Sequence, residues 1–315
     1  MKLYTLLYIN DQEKNSPNIS TSSYPNQLTV YLQCIANLNK SLIDTNFTLS
    51  IITNNSKLLT RVDFIEDIDI IEITFSLEVP SGIDFYAAHF KIDVFKYFST
   101  LTDPYVGLID SDMLCINNVP TSLKHAIDNK IALYYNVTDQ VGPAHDYELI
   151  VAEKQLVSET NKVGLWSGGE FIMGSPDFFK LLYQEIMIVK EQYFNKWQRL
   201  HHRSDEFLTS VAIENMLLKH VYTLVDAGQL NIISRYWSIE TLHHQKPLAA
   251  YLSSFLLHLP ADKALLSEAY KQKQSPKQFI QAYSLQERRR KNVFLKTKNR
   301  LMNYIQRRFY PAPKT

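Results

Sequence analysis

The sequence predicts a doubly wound α/β fold, a central sheet flanked by helices and followed by a helical C-terminal tail. Three observations lead there. Short apolar runs alternate with stretches of helical period through the first half of the chain. One run, Tyr105-Val106-Gly107-Leu108-Ile109, is apolar on both faces, as a central parallel strand must be. A chain of 315 residues, 45% hydrophobic and 21% charged, can bury a large core in one domain or two joined halves.

Taken in order, Leu3 to Ile9 reads as a strand and Asn26 to Lys40 as a helix with Leu28, Leu32, Ile35 and Leu38 on one face. Phe47 to Thr53 and Asp69 to Thr74 read as strands. Phe85 to Phe98 is helical, because Phe90, Val94 and Phe98 recur every fourth residue. Phe178 to Tyr193 predicts a long helix and His201 to Glu206 the opening of another. Ile232 to Ile239 and Tyr251 to Leu259 look extended, and residues 262 to 310 mainly helical with a break at Pro276. Of eight glycines, four (Gly164, Gly168, Gly169 and Gly174) fall within eleven residues, which marks a forced turn or a close approach of backbone to ligand.

Composition narrows the function classes. The apolar runs stop far short of the roughly 20 residues a membrane helix needs, and Met1-Lys2-Leu3 enters a strand without a cleavage pattern. Cys34 and Cys115 are expected as reduced core thiols, so a cytoplasmic location is expected. The net charge of +1 hides an asymmetry: residues 287 to 315 carry ten Lys or Arg against Glu287 alone, leaving the rest acidic. An acidic body argues against nucleic acid as a partner, while the basic tail calls for an anionic one.

Asp110-Ser111-Asp112 follows the buried strand directly, so two carboxylates leave the sheet's carboxyl edge on the same side. Such a pair suits a hard divalent cation, Mg²⁺ or Mn²⁺, which keeps open positions for phosphate oxygens. As loop carboxylates they are expected to support no core packing.

The segment Val106 to Met113 resembles the Asp-x-Asp signature of GT-A glycosyltransferases, which bind a nucleotide-sugar through a divalent metal. Ala87-Ala88-His89-Phe90-Lys91 sits where such enzymes often carry a basic residue near the donor diphosphate. Trp166 to Gly174, with Gly168 and Gly169, resembles the strand beside the transferred sugar in glycosyltransferase family eight and in the blood-group type of retaining transferase. His202-Arg203-Ser204-Asp205-Glu206 resembles the His-Asp-Glu segment of the blood-group type, with two residues inserted. His258-Leu259-Pro260-Ala261-Asp262-Lys263 resembles the His and Lys that close the family-eight domain, with altered spacing. Order and spacing agree over residues 3 to 260.

The resemblance implies a mixed central sheet and a GT-A catalytic domain over 1–260, with a nucleotide-binding half at 1–120 and an acceptor-binding half at 121–260. It implies a helical basic segment over 261–315. Asp110, Asp112 and His258 would hold the metal. Tyr8, Ile9, Asn10, Lys91, Asp110, Ser111, Asp112, Gly168, Gly169 and Lys263 would bind the nucleotide-sugar, Tyr8 by stacking on uracil or else as core. Asp205 or Glu206 would face the anomeric carbon. His243-His244 has no such partner pattern and is expected at the surface.

In the tail, Phe294, Leu301, Ile305 and Phe309 recur at helical spacing among Arg and Lys, as in a peripheral membrane helix that prefers anionic lipid. The resulting expectation is a hexosyltransferase that uses a UDP-sugar and Mn²⁺ or Mg²⁺. It would act with retention on a glycan or lipid-linked acceptor of a bacterial surface-glycan precursor, at the cytoplasmic face of the inner membrane. Two rivals remain: a haloacid-dehalogenase-like phosphatase, disfavoured by Leu114 and by the late position of the motif, and an inactive glycan-binding protein on the same fold.

Overall fold

Strands apolar on both faces need helices above and below them, and the sequence supplies these between almost every pair. The computed structural model describes residues 1–9, 24–60, 62–239 and 241–290. The chain divides into two compact units, Met1–Lys273 and Gln274–Thr315.

In the first unit, the elements run β1 (Lys2–Leu7), α1 (Tyr24–Ser41), β2 (Thr48–Thr53), α2 (Ser56–Leu59), β3 (Asp69–Glu72) and α3 (Lys91–Phe98). They continue with β4 (Val106–Ile109), β5 (Met113–Cys115), α4 (Thr121–Asp128), β6 (Ala132–Asn136), α5 (Thr138–His145), α6 (Tyr147–Val157) and β7 (Ser167–Gly174). The unit closes with α7 (Pro176–Lys196), α8 (Asp205–Lys219), β8 (Leu224–Asp226), β9 (Ile233–Arg235), β10 (Leu256–His258) and α9 (Lys263–Lys271).

Seven strands form a mixed sheet in the order β3-β2-β1-β4-β7-β6-β8. β1 lies parallel to both β2 and β4, β2 parallel to β3, whereas β7 runs antiparallel to β4 and β6. The chain winds outward from β1 to β3, then returns to place β4 on the other side of β1. The carboxyl ends of β1 and β4 therefore flank a crevice where strand order reverses, the place where such sheets bind ligands. The doubly wound, mixed architecture agrees with the expectation. Both cysteines are free and buried.

A second sheet, β5-β10-β9, is built of three-residue strands. Its register sets His258 against Met113 on one side and against Arg235 on the other. The Leu259 N–H donates to Asp112 O at 3.0 Å. The small sheet thus draws a distant part of the chain onto the loop that leaves β4. Of the segment Tyr251 to Leu259, only Leu256–His258 is strand, and Tyr251 ends a 3₁₀ turn.

α8 is buried on every side from Phe207 to Met216, as a helix passing through a core must be. Its Glu214 meets Lys154 at 2.6 Å with both side chains at most 2% exposed, and Glu214 Oε1 accepts the Lys162 and Val163 N–H groups at 2.7 and 2.8 Å. Asn215 Oδ1 accepts from Thr160 and Asn161. The helix that opens with Asp205 and Glu206 therefore also fixes the loop leading into β7.

In the second unit a helix occupies 276–290, with Glu287 and Arg290 paired at 3.2 Å. The helical run breaks over 272–275, as expected near Pro276, which then stands as the first residue of the new helix, where its missing N–H costs nothing. Phe294, Leu301, Ile305 and Phe309 lie outside the described residues, as do Asn10 and most of the basic tail. Among the described residues, no helix is long and apolar enough to cross a membrane.

Candidate functional site

β4 ends at Ile109, and the Asp110 N–H continues the ladder to Glu170 O on β7 at 2.9 Å. Asp110, Ser111 and Asp112 then turn across the carboxyl edge of the sheet. Each aspartate meets a lysine. Lys91, at the first turn of α3, lies 2.9 Å from Asp110 and 3.4 Å from Asp205, and its ammonium donates to Gly169 O at 2.8 Å. Lys263, which opens α9, donates to Asp112 Oδ2, and His258 Nε2 lies 3.1 Å from Asp112 Oδ1.

Asp112 is 3% exposed, which corrects the expectation of a loop carboxylate without a packing role. Burial alone would favour its neutral form, but Lys263 and His258 outweigh it and hold the carboxyl far below the usual range. The same pairing raises His258 to about 9 against the opposing effect of burial. His258 Nδ1 lies 3.3 Å from Glu170 Oε1.

Glu170 and Arg235 have no assigned role in the sequence, yet they complete the site. Arg235, at the end of β9, lies 3.5 Å from Glu170 and 3.7 Å from Glu206. Burial works against the Glu170 charge, and Arg235 and His258 overcome it, holding its carboxyl at about 2. The available signal was a single charge within an otherwise apolar run, in Gly169-Glu170-Phe171-Ile172 and in Ile232-Ile233-Ser234-Arg235.

Asp205 and Glu206 form the first turn of α8, where acids are favoured by the helix dipole. Glu206 accepts from Trp166 Nε1 at 2.9 Å and from the Gly169 N–H at 3.1 Å, and its side chain remains 27% exposed. Asp205 is 4% exposed, and its Oδ2 takes no well-formed hydrogen bond, having only Lys91 nearby. Burial raises its carboxyl to about 6, with Lys91 opposing and the Glu206 and Asp110 charges adding to the rise.

Glycine is required between them. A Cβ on Gly169 would stand 2.6 Å from Asp205 Oδ2 and 2.9 Å from Glu206 Cγ, and one on Gly168 would stand 2.2 Å from Glu170 Oε2. These two glycines leave room for the carboxylates of Glu170, Asp205 and Glu206, and the Gly169 N–H and C=O are already engaged by Glu206 and Lys91.

At the end of β1, Tyr8 stacks on Phe90 with centroids 4.1 Å apart and meets Phe75 edge-on, so an aromatic cluster holds one face of the ring. Ile9 is clamped by Asn54, whose side chain bonds both its N–H and its C=O at 2.8 Å.

The ligand atoms of Asp110, Asp112 and His258 lie within 4.8 Å of one another. The carboxylates of Asp110, Asp112, Glu170, Asp205 and Glu206 outnumber the cations Lys91, Arg235, Lys263 and protonated His258, and a divalent cation held by Asp110, Asp112 and His258 would displace the His258 proton. Two buried carboxylate oxygens, on Asp205 and Glu170, also lack a hydrogen-bond partner.

No protein-family model matches the sequence, and no curated protein matches it. Solved structures do resemble it in overall form. The galactosyltransferase LgtC, in complex with donor and acceptor sugar analogues, superposes with a TM-score of 0.49 and 10% identity over 85% of this chain and 96% of that one. Mouse xyloside xylosyltransferase 1 gives 0.47 and 11% over 82% and 97%. The bifunctional glycosyltransferase WbbM gives 0.49 and 10% over 81% of this chain and 45% of its own. All three are glycosyltransferases, and at these identities the likeness assigns no residue a role.

Proposed function

We propose that the chain is a metal-dependent glycosyltransferase that moves a hexose from a UDP-sugar to a glycan hydroxyl with retention. The observation that carries the reading is the meeting of Asp110, Asp112 and His258 with Asp205 and Glu206 across the side-chain-free floor of Gly168 and Gly169. A diphosphate that departs and a sugar carbon that gains positive charge need different partners a few ångströms apart, and this edge of the sheet supplies both.

Asp110, Asp112 and His258 would hold Mn²⁺ or Mg²⁺, which as a Lewis acid neutralises charge on a diphosphate. Lys91 and Lys263 bring two further positive charges to the same loop, preorganised by their carboxylate partners and sheltered from water. Glu206 is the more accessible of the two helix acids, and Trp166, Gly169 and Arg235 fix its direction. It faces the anomeric carbon and stabilises oxocarbenium-like charge, as carboxylates do in glycoside hydrolysis. Asp205 binds a sugar hydroxyl and keeps Lys91 in place through its Oδ2, 3.4 Å from the ammonium. Ser111 and the end of β1, including Tyr8, Ile9 and Asn10, border the nucleoside.

The acceptor in this reading is a glycan or lipid-linked glycan of a bacterial surface polymer, met at the cytoplasmic face of the inner membrane. The excess of nine positive charges over residues 287 to 315 supports that location.

Incubating the protein with a panel of nucleotide-sugars and Mn²⁺ tests the reaction. Slow release of free sugar from a UDP-hexose is expected, because transferases leak sugar to water. Release of phosphate from simple esters would mark a phosphatase, and no turnover of either would mark a binding protein.

A further inference from the structure

Three histidines that the glycosyl-transfer reading leaves unused converge on the far side of Trp166. His145 ends α5, and His201 and His202 lie in the loop before α8. One ring nitrogen from each lies within 4.8 Å of the others, and their ring centroids are 4.7, 4.8 and 5.3 Å apart.

A single buried carboxylate organises the loop. Glu153 on α6 takes the His202 Nδ1 contact at 3.0 Å and also accepts the backbone N–H groups of His201 and His202. Nδ1 of His202 is thereby committed, while its Nε2 is buried with no hydrogen-bond partner. Such an orphaned ring nitrogen is costly unless something binds it. A carboxylate on one nitrogen of an imidazole is the arrangement that orients the other toward a metal. An open cavity of about 700 Å³ adjoins the cluster, lined in part by His145, His201, Tyr147 and Leu242.

We infer that His145, His201 and His202 form a second metal site, one for a borderline-soft divalent transition ion, zinc foremost. Three imidazoles favour zinc over the hard cations suited to Asp110 and Asp112, and the cavity leaves a fourth position for water. Zn–N bonds of about 2.0–2.1 Å require the rings to draw together, which the exposed His201 can do by side-chain rotation. The ion ties α5 to the loop immediately before Asp205 and Glu206. It acts on the position of these acids, not on the reacting atoms.

The test titrates the full chain with Zn²⁺ by calorimetry and follows Co²⁺ substitution by visible absorption, in the protein, in His145→Gln, in His201→Gln and in His258→Gln. Expected is an equivalent of Zn²⁺ that both His145→Gln and His201→Gln weaken at least tenfold and that His258→Gln leaves in place. A tetrahedral Co²⁺ spectrum should vanish in the first two variants. Thermal melts without zinc check that His201→Gln folds like the parent. If the chain binds no zinc, or if the bound zinc survives His201→Gln in the folded protein, the site is overturned. Loss of all zinc in His258→Gln alone would place the ion at the carboxylate site and refute the inference, while the glycosyl-transfer reading stands or falls separately on donor hydrolysis.

Discussion

The Lys91 ammonium lies 2.9 Å from Asp110 and 3.4 Å from Asp205, so one buried cation joins the carboxylate that ends β4 to the one that opens α8. Burial disfavours its charge, yet Asp110 and Asp205 overcompensate and hold Lys91 cationic above its ordinary range. Lys91→Met should leave the two acids facing each other uncompensated. Removing one partner of a buried pair costs roughly 3–5 kcal/mol, which urea unfolding would read. Donor turnover should fall roughly 10²-fold or more if, as proposed, Lys91 is a preorganised charge near the leaving group.

The two helix acids should separate kinetically. If Glu206 faces the reacting carbon as proposed, Glu206→Gln should lower kcat roughly 10²-fold or more with little change in donor affinity, because that interaction grows mainly in the transition state. Asp205→Asn should appear chiefly in KM. Near-normal turnover in both variants would place the catalytic centre elsewhere.

His89 gives the fold a sensitivity to acid. It is buried between Phe85 O at 3.1 Å and the Tyr193 hydroxyl at 3.0 Å, and burial lowers its pKa to about 4. The unfolded chain takes up this proton near pH 6.5, before the folded one does. The His89 contribution is therefore fully present above pH 6.5 and declines as pH falls toward 4. His243, also lowered to about 4, adds in the same sense, whereas Asp205, raised to about 6, acts oppositely. The difference between parent and His89→Gln isolates the one group: the variant should lose less stability between pH 6.5 and 4. Parallel stability curves would contradict the assignment.

The basic tail should bind anionic membrane. On the proposed reading, the sequence of Phe294, Leu301, Ile305 and Phe309 among Arg and Lys would combine apolar insertion with attraction to anionic lipid. The full chain should sediment with vesicles containing phosphatidylserine, less so as salt rises, and a chain ending after Ser284 should not. Equal behaviour of the two would refute membrane attachment.

Much of this site could be read along the chain, and what could not was non-local. Asp110 and Asp112 stood out because an apolar strand must end before carboxylates begin, and Gly168-Gly169 because glycine is scarce elsewhere. Glu170 and Arg235 escaped because their meeting depends on β10 pairing with both β5 and β9, strands of three residues that are too short to show a period. His243, expected at the surface, is instead half-buried, its ring 5.7 Å from that of His145, a contact between the end of α5 and a loop far along the chain. Tyr8 was open to two readings, and its stack on Phe90 depends on an approach that β1 alone does not encode.

The most direct test is calorimetric titration of UDP into the parent and Asp112→Asn with and without Mn²⁺, with a thermal melt to confirm folding. Asparagine keeps the shape of Asp112 among Lys263 and His258 but removes the charge. The parent should bind UDP much more tightly with Mn²⁺ than without it, and the folded variant should lose that Mn²⁺-dependent gain. Unchanged Mn²⁺-dependent affinity in folded Asp112→Asn would contradict the metal-bridged nucleotide site on which the proposed function rests.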